Sequence, residues 1–184
     1  DSGKRLIENI DKVHNADFSV IVYNFLDILS HARTETQIIR DLAEDEAAFR
    51  SLTRSWFEHS DLLELMRLLA ERGHTIIITS DHGTIQVDNP VRVQGDRATS
   101  SNLRDKTGRN LGFNQKEVFA ITKPELAHLP KSNITSTYIF AYNRDFFVYP
   151  NNTNQFVRYY NNTFQHGGIS MEEMIVPFLV LKPR

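Results

Sequence analysis

Short apolar runs and amphipathic segments alternate along the chain. The run DFSVIVYNF, residues 17–25, is almost continuously apolar and rich in β-branched residues, which is typical of a strand buried on both faces. The segment SDLLELMRLLAERG, residues 60–73, places four large apolar side chains on one helical face, with Ser60 or Asp61 at its start and a glycine at its end. The run HTIIITS, residues 74–80, predicts a second buried strand.

The same alternation continues to the end of the chain. Residues 34–52 are helix-forming, a short helix is predicted around residues 153–162, and Ser170 and Glu173 have the spacing of a capping box. Four further strands are predicted, at residues 117–122, 136–142, 145–150 and 174–181. Because two strands joined through a helix by a right-handed crossover form the unit of a parallel sheet, the pattern predicts an α/β fold with a mainly parallel sheet flanked by helices.

Length and composition fit a globular chain. It has 184 residues, of which 40% are hydrophobic and 12 are Phe, so it can bury a sizeable core and form one domain or part of one. It begins with DSGKRLIENI, without an initial Met, and we expect it to be a piece of a longer protein. No apolar run approaches the roughly 20 residues of a transmembrane helix, so we expect no membrane insertion.

Charge and cysteine content limit the ligands that the chain can hold. The formal net charge of -2 excludes a general basic face for duplex DNA, so an anionic ligand must be held locally. The chain has no cysteine, which excludes disulfides and thiolate metal sites and leaves Asp, Glu and His as metal ligands. The lack of cysteine is also compatible with a reducing compartment, and we expect a cytoplasmic location.

One segment, at about residues 86–116, is locally basic and has no clear hydrophobic period. Its basic residues are Arg92, Arg97, Arg104, Lys106, Arg109 and Lys116. A phosphodiester needs guanidinium or ammonium groups close to it, and Arg can bind a phosphate through two hydrogen bonds. Candidate substrate-binding residues are therefore Arg92, Arg97, Arg104 and Lys106. The alternative is a solvated loop with ordinary surface charges.

Carboxylates and imidazoles occur where predicted strands end. Asp81 and His82 follow the strand at residues 74–80, a position where ligands bind in α/β sheets. Asp27 and His31 are four residues apart, one helical turn, so they can converge on a single ion. His166 is followed by two glycines, which allow a close approach of the backbone. Two carboxylates and three imidazoles are the ligand set of a zinc-type site.

Each motif also has a simpler interpretation. Asp81 could be a turn former, and Asp27 with His31 could be an acid at a helix start beside an exposed partner. Asp-His-Gly occurs by chance in many chains. The three motifs in one order favour the metal-site interpretation.

The motifs LDILSH, SDHG and FQHGG, in this order, resemble those of the alkaline phosphatase superfamily, in its phosphodiesterase and nucleotide pyrophosphatase branch. The phrases NFLDILSHARTE, TSDHGT, GDRATSSNLR and FQHGGISMEEMIVP are most similar to the PglZ domain. Within that family they resemble the effector domain of PorX-like response regulators, two-component proteins that control type IX secretion in Bacteroidetes. The resemblance implies an alkaline phosphatase-like fold, with residues 1–184 as the C-terminal part of the domain only.

The resemblance also implies a site. Asp27, His31 and His166 would hold one metal ion, and Asp81 and His82 a second, with two Zn²⁺ in a complete domain and one in this piece. The Ser or Thr nucleophile of the family and a further Asp ligand lie well upstream of the Asp-x-x-x-His motif, and no residue here matches them. The second site is therefore incomplete, and we expect the piece alone to be inactive.

Three functions follow from these residues and the resemblance. The first is a zinc-dependent phosphodiesterase effector domain of a response regulator, acting on cyclic or linear oligonucleotides and linked to type IX secretion. The second is a regulatory module that binds a nucleotide around a structural zinc site. The third is a module that binds proteins of the secretion or signalling machinery. A further hypothesis is that the complete protein forms a homodimer.

Overall fold

A computed structural model of the protein describes residues 2–95, 99–131 and 133–183, apart from the side chains at positions 2, 33–35 and 152. The described residues form eight α-helices and nine strands. They divide into two compact units. The first unit contains residues 2–80 and 177–183, and the second contains residues 81–176.

The first unit is mainly helical. Its elements are α1 Ser2–Glu8, α2 Ile10–His14, α3 Phe25–Glu35, α4 Gln37–Leu42, α5 Glu46–Glu58, α6 Asp61–Glu71, β1 Ile76–Thr79 and β9 Phe178–Leu181. The strands β1 and β9 pair antiparallel, with Ile76 opposite Leu181. Ile10, Leu65 and Leu69 form the buried core of this unit.

The predicted amphipathic helix at residues 60–73 is confirmed as α6. The Ser60 side chain accepts a hydrogen bond from the Leu63 amide, so Ser60 is the N-cap. Leu65 and Leu69 lie one turn apart and are both buried, as the helical period requires. The predicted helix at residues 34–52 is divided instead among α3, α4 and α5. Asp45 caps α5 by accepting a hydrogen bond of 2.8 Å from the Ala48 amide.

The predicted strand at residues 17–25 is wrong. Residues 18–24 have no regular secondary structure, and α3 begins at Phe25. Phe18 is 81% exposed and Val22 is 76% exposed, whereas Ile21 packs against the core of the unit. The apolar run predicts burial, but a strand also needs a neighbouring backbone to pair with, which the pattern of one segment does not provide.

The second unit contains most of the sheet structure. Its elements are β2 Ile85–Val87, β3 Asn89–Arg92, β4 Asp105–Arg109, β5 Val118–Ile121, β6 Ser136–Ala141, β7 Asp145–Val148, α7 Thr153–Tyr160, β8 Thr163–Gln165 and α8 Met171–Met174. Two short 3₁₀ helices span Pro124–Ala127 and Pro150–Asn152. The strands predicted near β1, β5, β6, β7 and β9 and the helix α7 are confirmed, but β1 is not buried as expected, because its Ile77 is 53% exposed.

The sheets are small and mainly antiparallel, so the prediction of a mainly parallel sheet is not confirmed. The pairs β1–β9 and β2–β8 and the three-stranded sheet β4–β6–β5 are antiparallel. Among the described strands, only β3 and β7 pair in parallel. The physical reason is that hydrophobic pattern reports which faces are buried, while strand direction depends on partners that are distant in sequence.

The core of the second unit lies on both sides of β7. Phe147 belongs to a cluster with Val91 and Ile139, while its neighbour Phe146 belongs to a different cluster with Val87. Successive side chains of a strand point to opposite faces, so one strand supplies both clusters. All five side chains are 5% exposed or less. This tightly packed unit carries two of the three histidines that the sequence selects.

The basic segment at residues 86–116 contains the regular strands β3 and β4 and most of β2. It therefore has more regular structure than its weak hydrophobic period indicates. In the part of the chain that the structure describes, the longest helix has 13 residues, and none combines the length and hydropathy of a bilayer-spanning helix.

Candidate metal centre

Strand pairing in the second unit brings His82 and His166 together. His82 lies just before β2, and His166 directly follows β8. The two strands run antiparallel, with Ile85 opposite Gln165, so the start of β2 and the end of β8 lie at one end of the pair. The two imidazole rings stack there, with centroids 3.7 Å apart and planes at 13°. Two of the predicted ligands are thus neighbours.

The Asp-His-Gly turn is anchored through its glycine. The Gly83 amide donates a hydrogen bond of 2.8 Å to the Glu173 carbonyl. A Cβ at position 83 would collide with the Glu172 carbonyl oxygen, so this approach requires glycine. Asp81, by contrast, is 90% exposed, and its carboxylate accepts a hydrogen bond of 3.1 Å from the His82 amide. The turn therefore fixes the histidine more firmly than the aspartate.

One ring nitrogen of His82 contacts its own turn. Its Nδ1 lies 3.0 Å from the Gly83 carbonyl oxygen. If Nδ1 carries the proton and donates to this carbonyl, Nε2 has a lone pair for a metal ion, since a second partner of this kind usually sets the tautomer of a ligating histidine. The His82 side chain is 29% exposed, so Nε2 belongs to a half-buried group.

The His-Gly-Gly turn is anchored by a buried carboxylate. Glu173 Oε1 accepts hydrogen bonds from the Gly168 amide at 2.9 Å and from Arg104 Nε at 2.8 Å. Glu173 Oε2 accepts from Arg104 Nη2 at 2.5 Å, from the Ser170 amide at 3.2 Å and from the Ser170 hydroxyl. The predicted capping box of Ser170 and Glu173 is confirmed. Glu173 therefore links the start of α8 to the turn that follows His166.

The surroundings of Glu173 stabilise its charged form. Burial by itself raises the pKa of this carboxyl. The hydrogen bonds from Arg104, Ser170 and Gly168, together with the positive charge of Arg104, outweigh burial and hold the pKa of Glu173 below its ordinary value. A charged, fully hydrogen-bonded carboxylate is thus present beside the histidine turn at neutral pH.

In the first unit, Asp27 and His31 form a pair on α3. Asp27 Oδ1 lies 3.4 Å from His31 Nε2, and both side chains are about half exposed. Two ligand atoms held at about 2.0–2.1 Å around a tetrahedral zinc ion are separated by about 3.3 Å. The spacing of this pair therefore fits two neighbouring positions of such an ion.

The four basic residues predicted to bind substrate have different environments. Arg104 is 0% exposed and its guanidinium contacts Glu173 and the carbonyls of Tyr142 and Asp145, so the structure gives no support to a phosphate contact there. Lys106 is 1% exposed, and its Nζ donates to the Ser100 carbonyl at 2.8 Å. Arg97 lies outside the described residues.

Arg92 is the predicted basic residue that remains available in the described chain. It is exposed and lines a groove of about 490 Å³. The other lining residues are Pro150, Asn151, Thr153, Asn154 and Gln155. One guanidinium among amide and hydroxyl groups is suited to a polar or anionic ligand.

Lys106 is a buried cation with an altered proton affinity. Burial lowers the pKa of Lys106 to about 8, although the neighbouring Asp105 carboxylate acts in the opposite direction. Its Nζ also lies 5.0 Å from the centroid of the Tyr149 ring. These contacts are those of a structural lysine inside the second unit.

The sequence pattern does not identify Glu173 and Arg104 as partners. The capping-box spacing predicts Glu173 only as part of a helix cap, and the local charge predicts Arg104 only as a substrate-binding residue. His14 and His74 also form an unexpected contact, with Nδ1 of His14 2.8 Å from Nε2 of His74. Sequence offers no signal for either pair, because both join residues at least 60 positions apart.

Several of these groups are chemically suited to bind a divalent cation. Asp27 can supply a carboxylate oxygen, and His82 and His166 can each supply a ring nitrogen. A family model described as the PglZ alkaline phosphatase-like domain of the BREX system matches residues 1–181. The chain belongs to the PglZ family. Membership indicates a hydrolase of the phosphoesterase type, and alkaline phosphatase-like domains are typically metal-dependent.

The PglZ match covers nearly the whole chain and confirms the family that the motifs indicate. The closer relationship to PorX-like response regulators is not confirmed by it. No curated protein is significantly similar to this PglZ chain.

Proposed function

We propose that this PglZ chain carries the metal-binding part of a zinc-dependent phosphodiesterase that acts on nucleotide-type diesters, such as cyclic or linear oligonucleotides. The observation that carries the proposal is the pair of stacked imidazoles, His82 and His166, on two turns that are both anchored to Glu173. Nitrogen and oxygen donors without thiolates suit zinc, and the family is alkaline phosphatase-like.

The proposed ligands follow the family motifs. Asp27, His31 and His166 hold one ion, and Asp81 and His82 contribute to a second. The 3.4 Å spacing of Asp27 and His31 and the Nδ1 contact of His82 support these roles. When bound, such ions activate a nucleophile and stabilise charge on the phosphoryl oxygens.

In this proposal Arg92 binds a phosphate of the substrate. It is the exposed member of the four predicted basic residues among those described, and its groove contains further hydrogen-bonding groups. Arg104 and Lys106 are assigned structural contacts instead, because both are buried and hydrogen-bonded.

The cellular setting is a separate part of the proposal. The phrases that resemble PorX-like proteins favour an effector domain of a two-component response regulator, in the cytoplasm and linked to type IX secretion, with signalling or secretion proteins as partners. The matched family model is named for the BREX system, which offers a second setting.

A second candidate function is a regulatory module that binds a nucleotide or protein partner around a structural zinc site. It is favoured by one observation: Asp81 and His82 supply only two ligands, while a zinc ion in proteins takes three or more. No residue of this chain matches the nucleophile of the family.

Hydrolysis of a chromogenic phosphodiester with added zinc tests the function. We expect the complete domain to turn over the substrate, and His166→Ala to lower kcat at least a hundredfold because a metal ligand is lost. His59→Ala, a change of an exposed histidine that is not a proposed ligand, is the control. The 184-residue chain by itself should be much slower than the complete domain.

Two outcomes would contradict the proposal. Equal turnover by the unsubstituted complete domain and by its His166→Ala variant would show that His166 takes no part in the reaction. Tight zinc binding without any turnover by the complete domain would favour the regulatory module.

A further inference from the structure

The buried ion pair of Arg104 and Glu173 contacts the two histidine turns of the second unit, which are residues 81–83 and 166–168. Arg104 and Glu173 are 0% and 3% exposed, and they are joined by two hydrogen bonds, of 2.8 and 2.5 Å. We propose that Arg104 and Glu173 are positioning residues that hold the imidazoles of His82 and His166 in the orientation in which they bind a metal ion. The metal part of this inference rests on the proposed function above.

Glu173 contacts both turns through different atoms. Its side-chain Oε1 accepts from the Gly168 amide, two residues after His166. Its main-chain carbonyl accepts from the Gly83 amide, one residue after His82. A rotation of Glu173 would therefore disturb the His166 turn, and a shift of its backbone would disturb both turns.

Arg104 fixes the orientation of the Glu173 carboxylate. Its Nε and Nη2 bind the two carboxylate oxygens side by side, a planar arrangement that lysine cannot reproduce. Its Nη1 donates to the carbonyls of Tyr142 and Asp145, which lie between β6 and β7 and at the start of β7. The guanidinium therefore connects the histidine turns to the packed sheet.

The close packing at Gly168 supports the same role. A Cβ at this position would lie 2.6 Å from Nη2 of Arg104, so the turn after His166 runs directly along the guanidinium. Such proximity leaves no room for the turn to shift toward Arg104. The histidine that precedes it is thereby restricted in position.

Stability alone does not account for a buried ion pair. Desolvation of the two charges offsets much of their attraction, and apolar residues of similar volume often stabilise a core as well or better. What an apolar pair cannot provide is a set of directed acceptors for the Gly168 amide and the Ser170 amide. Substitution of a residue that hydrogen-bonds to a metal ligand, without binding the metal itself, typically changes metal affinity by 10- to 100-fold.

The test uses Glu173→Gln and Arg104→Lys in the 184-residue chain, with Glu125→Gln as control. Glu125 forms an exposed ion pair with Lys131 in the same unit, so the control removes an equivalent charge elsewhere. Histidine ring signals of the metal-free protein are recorded by NMR, and zinc affinity is measured by competition with a chelator. Thermal unfolding identifies which variants fold.

We expect Glu173→Gln to shift the ring signals of His82 and His166 and to weaken zinc binding by 10- to 100-fold. Arg104→Lys keeps the charge but loses the two parallel hydrogen bonds, so it should shift the same signals and weaken zinc binding by a smaller factor. Arg104→Lys also tests the inference if Glu173→Gln does not fold. Glu125→Gln should change neither quantity.

A folded Glu173→Gln or Arg104→Lys protein with unchanged ring signals would overturn the inference. The inference would also be overturned if a variant lost stability while its folded fraction bound zinc with unchanged affinity. That result would mean that Arg104 and Glu173 only stabilise the fold. Failure of the parent chain to bind zinc would contradict the proposed function instead, while the ring signals would still decide whether the pair positions the histidines.

Discussion

The two units of the molecule bury their apolar residues to very different extents. In the second unit Phe146, Phe147 and Ile139 are each 0% exposed. In the first unit Phe18 is 81% exposed and Phe178 is 68% exposed. Of the 17 buried apolar residues in the described chain, 12 lie in the second unit, although that unit also has exposed apolar side chains such as Ile134, which is 92% exposed.

The candidate ligands show the same contrast. His82 and His166 are partly buried, stack on each other and lie on turns that are anchored to a buried carboxylate. Asp27 and His31 are about half exposed and pair along one face of α3. The second unit can therefore preorganise its histidines by itself. The first unit offers an aspartate and a histidine whose positions depend mainly on the helix.

The largest change in the free energy of unfolding is expected from a substitution in the core of the second unit. Phe147→Ala should lower the free energy of unfolding by about 3–5 kcal/mol, because it removes a fully buried ring. Phe178→Ala, the matched change at an exposed position of the first unit, should cost less than about 1 kcal/mol. Urea denaturation of both variants measures this difference. Similar losses in the two variants would contradict the contrast between the units.

A smaller effect is expected from Lys106. Its folded-state pKa of about 8 lies below its ordinary value of 10.5, so the unfolded chain binds more protons between these values. Stability should therefore rise with pH across this window, by an amount on the order of 1–3 kcal/mol. Lys106→Met should remove the rise, and Lys116→Met, at an exposed position, should keep it. Thermal unfolding at pH 8 and pH 10.5 provides the measurement, and a rise that persists in Lys106→Met would refute this assignment.

The smallest effect on stability is expected at Asp27. Asp27→Asn weakens an exposed contact with His31, so the free energy of unfolding should change by no more than about 0.5 kcal/mol. Zinc affinity, in contrast, should fall by more than about tenfold if Asp27 is a metal ligand as proposed. Asp41→Asn, which alters an exposed contact with Gln37 on α4, is the control. Chelator competition and thermal unfolding separate the two quantities, and unchanged zinc affinity would remove Asp27 from the ligand set.

Local features were the part of the fold that sequence could predict. The helix α6 with its Ser60 cap and the capping box of Ser170 and Glu173 depend on neighbouring residues, so their signals lie in short segments. The predicted strand at residues 17–25 and the mainly parallel sheet depended on distant partners. β1, for example, pairs with β9 about a hundred residues away and in the opposite direction.

The sequence likewise predicts only part of the candidate site. Motif order selected His82 and His166, and antiparallel pairing of β2 with β8 accounts for their contact. Charge alone could not distinguish Arg104 from Arg92, because burial and the carboxylate partner of Arg104 are set by residues about 70 positions away. One arginine therefore supports the turns, and the other lines a groove.

Anomalous diffraction from crystals soaked in zinc tests most directly whether the histidine turns are metal-binding. If zinc binds at these turns, anomalous peaks should lie about 2.0–2.1 Å from a ring nitrogen of His166 and from Nε2 of His82. The exposed pair His14 and His74, whose ring nitrogens are 2.8 Å apart, serves as an internal comparison. Zinc at His14 and His74 alone, with no peak at either His82 or His166, would contradict a metal site at these turns.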